Sequence, residues 1–407
     1  MPIAFAKPNV PDEYLVDNRV YTDQHTFELE LERIFLKTWN FVCHESEIPT
    51  RGDYIATSVA GVPIIICRNK TGELRAFYNT CRHRAAQVVR DAGGNAASFT
   101  CFYHLWSYDL DGTLIGAPEI EAYKTSYCPG GLGKEDLSLV PVRIETNARM
   151  IFVCFDQDGP SLADFLGPAL ASNMHGPFGD PRVCVEVVWK KVLRANWKMA
   201  AENSRDGYHA PLLHKRLRGV SPPRPFKIYE NSHTIQRMDV DYENGKRLGT
   251  LDGILAEKPE MIDAFMSHPL PGLSRENPAM ILTIYPDFLS AVRYSTYLIL
   301  KQTPLALDQT LVEARRVYLS DDSDAVREIR RIHWDYYWSQ EAGNVPEDWE
   351  AWESQQIGVK GLGSRYSVMA RGEDGDEGMR NDDNRIRAFW AEWRKNMGAA
   401  SNAPIRD

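Results

Sequence analysis

The chain has no cysteine after position 184, no run of about 18 apolar residues and no excess of positive charge. Each absence removes a class of function. Without a long apolar run, nothing in the sequence is expected to span a membrane as a helix. A formal net charge of −9 argues against nucleic acid or an anionic membrane surface as a partner. The first twenty residues, MPIAFAKPNVPDEYLVDNRV, lack a basic start followed by an apolar core. No signal peptide is expected, and the chain reads as cytoplasmic. There is also no G-x-G-x-x-G following a strand pattern and no plant-type ferredoxin spacing of cysteines. GGLGKE at 130–135 lacks both the glycine spacing and the Ser/Thr of a phosphate loop.

What is present is ordinary in bulk and concentrated in detail. At 407 residues, with 43% apolar and 25% charged, the chain is long enough for two domains or for one with an insertion. The seven cysteines are Cys43, Cys67, Cys81, Cys101, Cys128, Cys154 and Cys184. An odd count in a chain without an export signal is poor support for a disulfide framework. Cys43, Cys67, Cys154 and Cys184 read as plain buried thiols.

Between Thr22 and Trp39 the apolar residues Phe27, Leu31, Ile34, Phe35 and Trp39 recur at helical intervals, with Thr22 or Asp23 as cap. The texture then changes. YIATSVAGVPIIICRNK and ELRAFYNTC read as strands joined through NKTGE. SFTCFYHLWSYDLDGTLIG reads as strand, DG turn and strand, and SLVPVRIETNARMIFVCFD as a hairpin through ETNA. Residues from about 40 to 157 therefore form a small β domain.

Beyond residue 160, VCVEVVWKKVLRANW alternates like a strand running towards a helix. HTIQRMDVDY, AMILTIYPDFLSAVRYS, STYLILKQTP and VEARRVYLS suggest an antiparallel sheet. DAVREIRRIHWDYYWSQEA and NRIRAFWAEWRKNMG are amphipathic helices, and RGEDGDEGMRNDD reads as a solvated loop whose spacing does not suit calcium.

Two groups of residues carry chemistry. The first is Cys81-x-His83 and, 17 residues on, Cys101-x-x-His104, each pair just past a strand. Two thiolates and two imidazoles suit either a zinc ion or a two-iron, two-sulfur cluster in which histidines replace cysteines on one iron. The second is ENSRDGYHAPLLH at 202–214, which holds Asp206, His209 and His214. On an ideal helix the two imidazoles diverge by about 140°. A break at Pro211 is expected to let them converge. A 2-His-1-carboxylate site needs an acid on the same face of the metal, and Asp206 reads as lying on the helix face below the histidines. PEDWEAWESQQIG at 346–358 offers Glu347 and Asp348, of which Glu347 reads as a helix-capping acid.

Cys-x-His and Cys-x-x-His, followed by Arg84 and Trp106, resemble the Rieske cluster motif. NWK at 196–198, ENxxDxYH at 202–209, and Asp348 followed by Glu353 and Gln356-Ile-Gly358 are similar to the Rieske non-haem iron ring-hydroxylating oxygenases, large (alpha) subunit. The resemblance runs in order along essentially the whole chain. It implies an α+β fold, with a small all-β Rieske domain inserted into a larger catalytic domain whose antiparallel sheet is surrounded by helices. The segments would be an N-terminal helical part at 1–39, the Rieske domain at 40–157 and the catalytic domain at 158–407.

The resemblance implies that Cys81 and Cys101 hold one iron of a [2Fe-2S] cluster, and His83 and His104 the outer one. His209, His214 and Asp348 would hold a mononuclear Fe(II) that activates O2. It further implies a head-to-tail homotrimer, with or without a small beta subunit. Asp206 there bridges His209 to His104 of the next subunit by accepting hydrogen bonds from both rings. With no nucleotide motif in the chain, electrons from NAD(P)H are expected through a separate reductase and/or a ferredoxin.

Asn203 to Asp206 is one residue tighter than in the naphthalene-type branch, so no approach of Asn203 to iron is assumed. That spacing and the closing FWAEWRKNMG are more similar to members acting on aromatic carboxylates. Cis-dihydroxylation of such a ring is the favoured reaction, and O- or N-dealkylating monooxygenation the alternative. Arg205, Arg216, Arg218, Arg293 and Arg387 are candidates to meet a carboxylate. A non-catalytic metal-stabilised binding protein or electron carrier is the reading from another class. It has no use for Asp206, His209, His214 and Asp348 together.

Overall fold

The computed structural model describes all residues except 1–6, 128–129, 132, 134–135, 215–224, 239–260, 275–278, 342–343, 362, 364, 380 and 399–407. The chain divides into two compact units. One is Leu36–Gly159, and the other is assembled from the residues on either side of it.

The described residues of the smaller unit are strands and loops with two single 3-10 turns, Glu45–Glu47 and Ile120–Tyr123. VPIIICR is apolar from Val62 to Cys67 because both its faces are covered. Ile64 and Ile66 enter one buried cluster with Cys43, Ile151 and Val153, while Ile65 and Cys67 enter another with Phe77, Cys81, Cys101 and Trp106. The run read as a single strand from Tyr54 is in fact a hairpin. Asp53–Val59 pairs with Val62–Arg68, and the chain reverses at Ala60 and Gly61 with φ of 51° and 77°. Positive φ at both turn residues matches the twist of the paired strands. Ala60 stands where Asn, Asp or Gly is usual, which left Gly61 as the one sign of the turn. Leu74–Tyr78 and Gly93–Asn95 complete this sheet.

The second hairpin turns at Ala148 and Arg149 between Arg143–Asn147 and Met150–Cys154, and Asn40–His44 pairs alongside. In the DG turn, Gly112 has φ of 85° and passes so close to Phe77 that an added Cβ would lie 2.5 Å from its ring.

The larger unit is built on eight antiparallel strands in the order Val183–Leu193, Gln309–Leu319, Thr296–Ala306, Phe288–Arg293, Ala279–Ile284, Thr234–Met238, Pro225–Ile228 and Glu377–Met379. The last strand lies within the acid-rich stretch expected to be loop; it pairs through backbone with Pro225–Ile228, so side-chain pattern gave no sign of it. Cys184 is only half-buried, unlike Cys43, Cys67 and Cys154, and Cys128 lies outside the described residues.

Helices cover the sheet. Asp23 is the cap of Gln24–Glu30, accepting from Thr26 N at 2.7 Å. Asn384–Met397 buries Ile386, Phe389, Trp390, Trp393 and Met397. Asn344–Val359 sets Trp349 edge-on to Trp189 at 5.3 Å.

One buried carboxylate ties three segments together. Glu30 accepts from Trp197 Nε1 and Trp393 Nε1, each at 2.8 Å, and pairs with Lys198 Nζ at 2.7 Å; Glu30 and Lys198 are both 0% exposed. The Trp and Lys of NWK are thus an anchor. Asn196 caps the Trp197–Asn203 helix, accepting from Lys198 N, and receives the helix of Asp348 through Gln356 Oε1, which accepts from Asn196 N at 2.8 Å.

Candidate active site

The helix Trp197–Asn203 stops before the first histidine. A second, one-turn helix, Ala210–Leu213, begins after it. His209 caps this short helix with helical angles, and His214 follows its last residue with extended backbone (φ −73°, ψ 111°). The break that brings the rings together therefore falls at 204–208 and not at Pro211. Proline sits in the first turn of the short helix, where an amide N–H has no helical partner to lose. Asp206 accordingly lies in the link and not on a helix face with the histidines.

His209, His214 and Asp348 converge, with one ligand atom from each lying within 4.8 Å of the others. Asp348 Oδ1 stands 3.4 Å from His209 Nε2 and 3.6 Å from His214 Nε2, and it accepts from Asn203 Nδ2 at 3.2 Å. Asn203 thus steadies the carboxylate. Each imidazole also has an acid at its other nitrogen. Asp206 Oδ2 is 3.3 Å from His209 Nδ1, and Glu347 Oε2 is 3.1 Å from His214 Nδ1. Glu347 is more than a helix cap. The only signal for it in the sequence was an acid directly before Asp348.

The electrostatics suit a cation. Burial alone would lower the pKa of His209, yet Asp206 and Asp348 outweigh it and raise the ring to about 9. His214 is lowered, with burial as the main cause. Burial would raise Asp206; His209 and the Tyr208 and His209 backbone N–H groups outweigh it and hold the carboxyl below its usual range. Two imidazoles, one carboxylate and a carboxylate behind each ring form the donor set of a first-row divalent ion with open positions. A recess of about 660 Å³ opens beside it, lined among others by Asn203, Asp206, Tyr208 and His209, with Arg371 lying 3.5 Å over the Tyr208 ring.

The cysteine–histidine loops are near copies of one another. Ala85 N donates to Cys81 O and Cys81 N to Ala86 O; Leu105 N donates to Cys101 O and Cys101 N to Trp106 O. The fourth residue after each cysteine is left-handed, with φ of 57° at Ala85 and 59° at Leu105. Buried Asn79 holds the first loop by donating to Val89 O and accepting from Val88 N and Val89 N. Cys81 and Cys101 are buried, while the rings are half-exposed, their Nδ1 atoms 3.1 Å apart. His83 stacks on Trp106 at 4.7 Å and its Nε2 meets Tyr123 OH at 3.1 Å.

No three of these four residues converge as His209, His214 and Asp348 do, among the described residues. A single tetrahedral ion needs all four donors around one point. A two-iron cluster needs a thiolate pair inside and an imidazole pair outside, and that is the arrangement found.

Of the arginines considered for an anionic substrate, Arg205 is buried, donates to Ala201 O and lies over Phe389. Arg387 is engaged by the carbonyls of Met369, Arg371, Gly372 and Glu373. Arg293 lies over Tyr337; Arg216 and Arg218 fall outside the described residues.

Comparison with known proteins places these observations. Residues 38–127 match the Rieske [2Fe-2S] domain, and 182–399 match the ring hydroxylating alpha subunit (catalytic domain). The chain is 34% identical to the 2-aminobenzenesulfonate 2,3-dioxygenase subunit alpha of Alcaligenes sp. over 98% of both chains. It is 29% identical to the anthranilate 1,2-dioxygenase large subunit of Acinetobacter baylyi, over 88% of this chain and 80% of that one. In fold it is similar to naphthalene 1,2-dioxygenase from Rhodococcus sp., with a TM-score of 0.75 and 23% identity over 95% of each. No helix among the described residues is long and apolar enough to cross a membrane. The chain belongs to the ring-hydroxylating oxygenase alpha subunits, with a Rieske [2Fe-2S] cluster and a mononuclear iron as its cofactors.

Proposed function

We propose that the chain is the terminal oxygenase that cis-dihydroxylates an aromatic ring bearing an acidic group. The observation that carries this is the convergence of His209, His214 and Asp348 beside a recess that also presents Asp206. The acidic substrate is supported by relatives named for 2-aminobenzenesulfonate, anthranilate and terephthalate.

In this reading Cys81 and Cys101 hold the inner iron of the cluster, and His83 and His104 the outer. His209, His214 and Asp348 hold the mononuclear iron, which supplies the reduction of dioxygen that a closed-shell ring cannot achieve. The rest of the work falls to neighbouring residues. Glu347 fixes the tautomer of His214 from behind, and Asp206 does the same for His209. Asn203 keeps Asp348 Oδ1 turned towards both rings. Electrons arrive from NAD(P)H through a separate reductase, with or without a ferredoxin. The cluster that feeds each iron belongs to a neighbouring copy in a homotrimer, with Asp206 as the bridge to that copy's His104.

Asp206→Asn is expected to retain both metal centres and to slow cluster-to-iron electron transfer by at least about 10–100-fold, the usual cost of losing such a partner. Rapid-mixing absorbance of the reduced cluster measures this, and wild-type rates would remove Asp206 from the path.

The reaction itself is tested with aromatic carboxylates, sulfonates and N- or O-alkyl aromatics, a surrogate reductase and ¹⁸O2. The expected product is a cis-diol carrying both atoms of one dioxygen. Release of an aldehyde with a single labelled oxygen would show dealkylating monooxygenation instead.

A further inference from the structure

Dihydroxylation joins one ring, one dioxygen, two electrons and two protons into one diol. The O–O bond breaks, two C–O bonds form, and dioxygen is the species reduced. Electrons reach a buried site far more easily when protons follow, because added negative charge in a low dielectric is costly. His209 and Asp348 are committed to the metal, and Asp206 to His209. A proton carrier has to be sought elsewhere around the recess.

Glu202 occupies that position. It is 8% exposed, lies on the helix that delivers Asn203, and lines the same recess as Asp206 and His209. Both of its hydrogen bonds fall on one oxygen. Tyr21 OH donates to Oε1 at 2.5 Å and Trp390 Nε1 donates to Oε1 at 2.9 Å. Oε2 accepts none among the described residues, and Glu202 is one of the residues that line the recess. The side chain is therefore held by one oxygen and left working room at the other. A recess of about 660 Å³ has space for a chain of waters between Oε2 and the iron ligands.

We propose that Glu202 is the proton carrier of this recess, loading a proton from solvent at Oε2 when an electron arrives and releasing it to the recess as dioxygen is reduced. This rests on the oxygenase reading above. No bond other than O–H is made or broken at Glu202, and the electrons and oxidant are those of the dihydroxylation itself.

The surroundings are consistent with such a role. Burial raises Glu202 to about 7, and Asp206 adds to the rise; the Tyr21 and Trp390 donors and Lys198 oppose it. The groups around it are Tyr21 from the N-terminal segment, Trp390 from the C-terminal helix, Lys198 (itself paired with Glu30), Arg205 and Asp206. Asp383 and Arg371 line the same recess. A carboxyl poised near neutrality can both take and give a proton at the working pH.

The test is the pH dependence of single turnover in the reconstituted holoenzyme, with carboxyl infrared difference spectra over the same range. Wild type is expected to lose rate above a midpoint near 7, by about tenfold per pH unit, as a protonated C=O band disappears. Glu202→Gln is expected to keep its iron and cluster, lose that band and show a rate that no longer changes across neutrality. Tyr21→Phe removes a donor that favours the ionised form, so its midpoint is expected to move to higher pH. A Glu202→Gln profile matching wild type, or an infrared band that survives the substitution, would overturn the proposal. Failure of the oxygenase reading looks different: no diol from wild type at any pH.

Discussion

Asp348→Ala leaves a chain that is still coloured by its cluster but carries no mononuclear iron, and its turnover falls to background. Among the described residues, Asp348 Oδ1 is the one anionic donor facing both His209 Nε2 and His214 Nε2, at 3.4 and 3.6 Å. Two neutral imidazoles alone bind a ferrous ion weakly, because oxygen and nitrogen donors hold it partly through charge. The loss should exceed the roughly 10–100-fold typical when only a supporting partner is removed. Glu347 is not expected to substitute, since it is engaged with His214 Nδ1 on the far side of that ring. Iron analysis paired with the visible spectrum reads both centres at once. Retention of the third iron with normal turnover would place the ligand elsewhere.

The second large effect lies far from the iron in sequence. Glu30→Ala strands the ammonium of Lys198, which is 0% exposed, and leaves the N–H groups of Trp197 and Trp393 without their acceptor. Breaking a buried ion pair from one side costs about 3–5 kcal/mol, which corresponds to a fall of roughly 5–8 °C in melting temperature for a unit of this size. The double variant Glu30→Ala/Lys198→Met removes the stranded charge and should recover part of that loss. Calorimetry of the four proteins of the cycle measures it. A single variant as stable as wild type would show that the pair does not anchor these helices.

How much of this was legible in the sequence depended on the distance over which each interaction acts. The metal-binding residue types, their spacing and the strand-rich texture before residue 160 could be read directly, because they are local and chemically unusual. The convergence of the two histidines was also expected, but its cause was misplaced. Pro211 is the conspicuous helix breaker, yet the helix ends earlier, at Asn203, just ahead of Ser204, Asp206 and Gly207, residue types that favour a turn.

The cluster loops show the same limit. Each turns on a left-handed residue, and these are Ala85 and Leu105 where glycine would have flagged the turn. Glu30 reads as one more acid on an amphipathic helix, since its partners lie 167 to 363 residues away. Glu347 looked like a cap because capping is what an acid in a first turn usually does. In the fold it reaches His214, a contact that depends on where two distant segments meet. The short strand Glu377–Met379 is held by backbone pairing, which leaves no mark on side-chain pattern.

The most direct test of the two-centre account is the iron and acid-labile sulfide content of the purified wild-type chain, read with its visible and electron paramagnetic resonance spectra. About three irons and two sulfides per chain are expected, with the spectrum of a histidine-ligated cluster in the reduced state. A colourless chain holding zinc and no sulfide would contradict it.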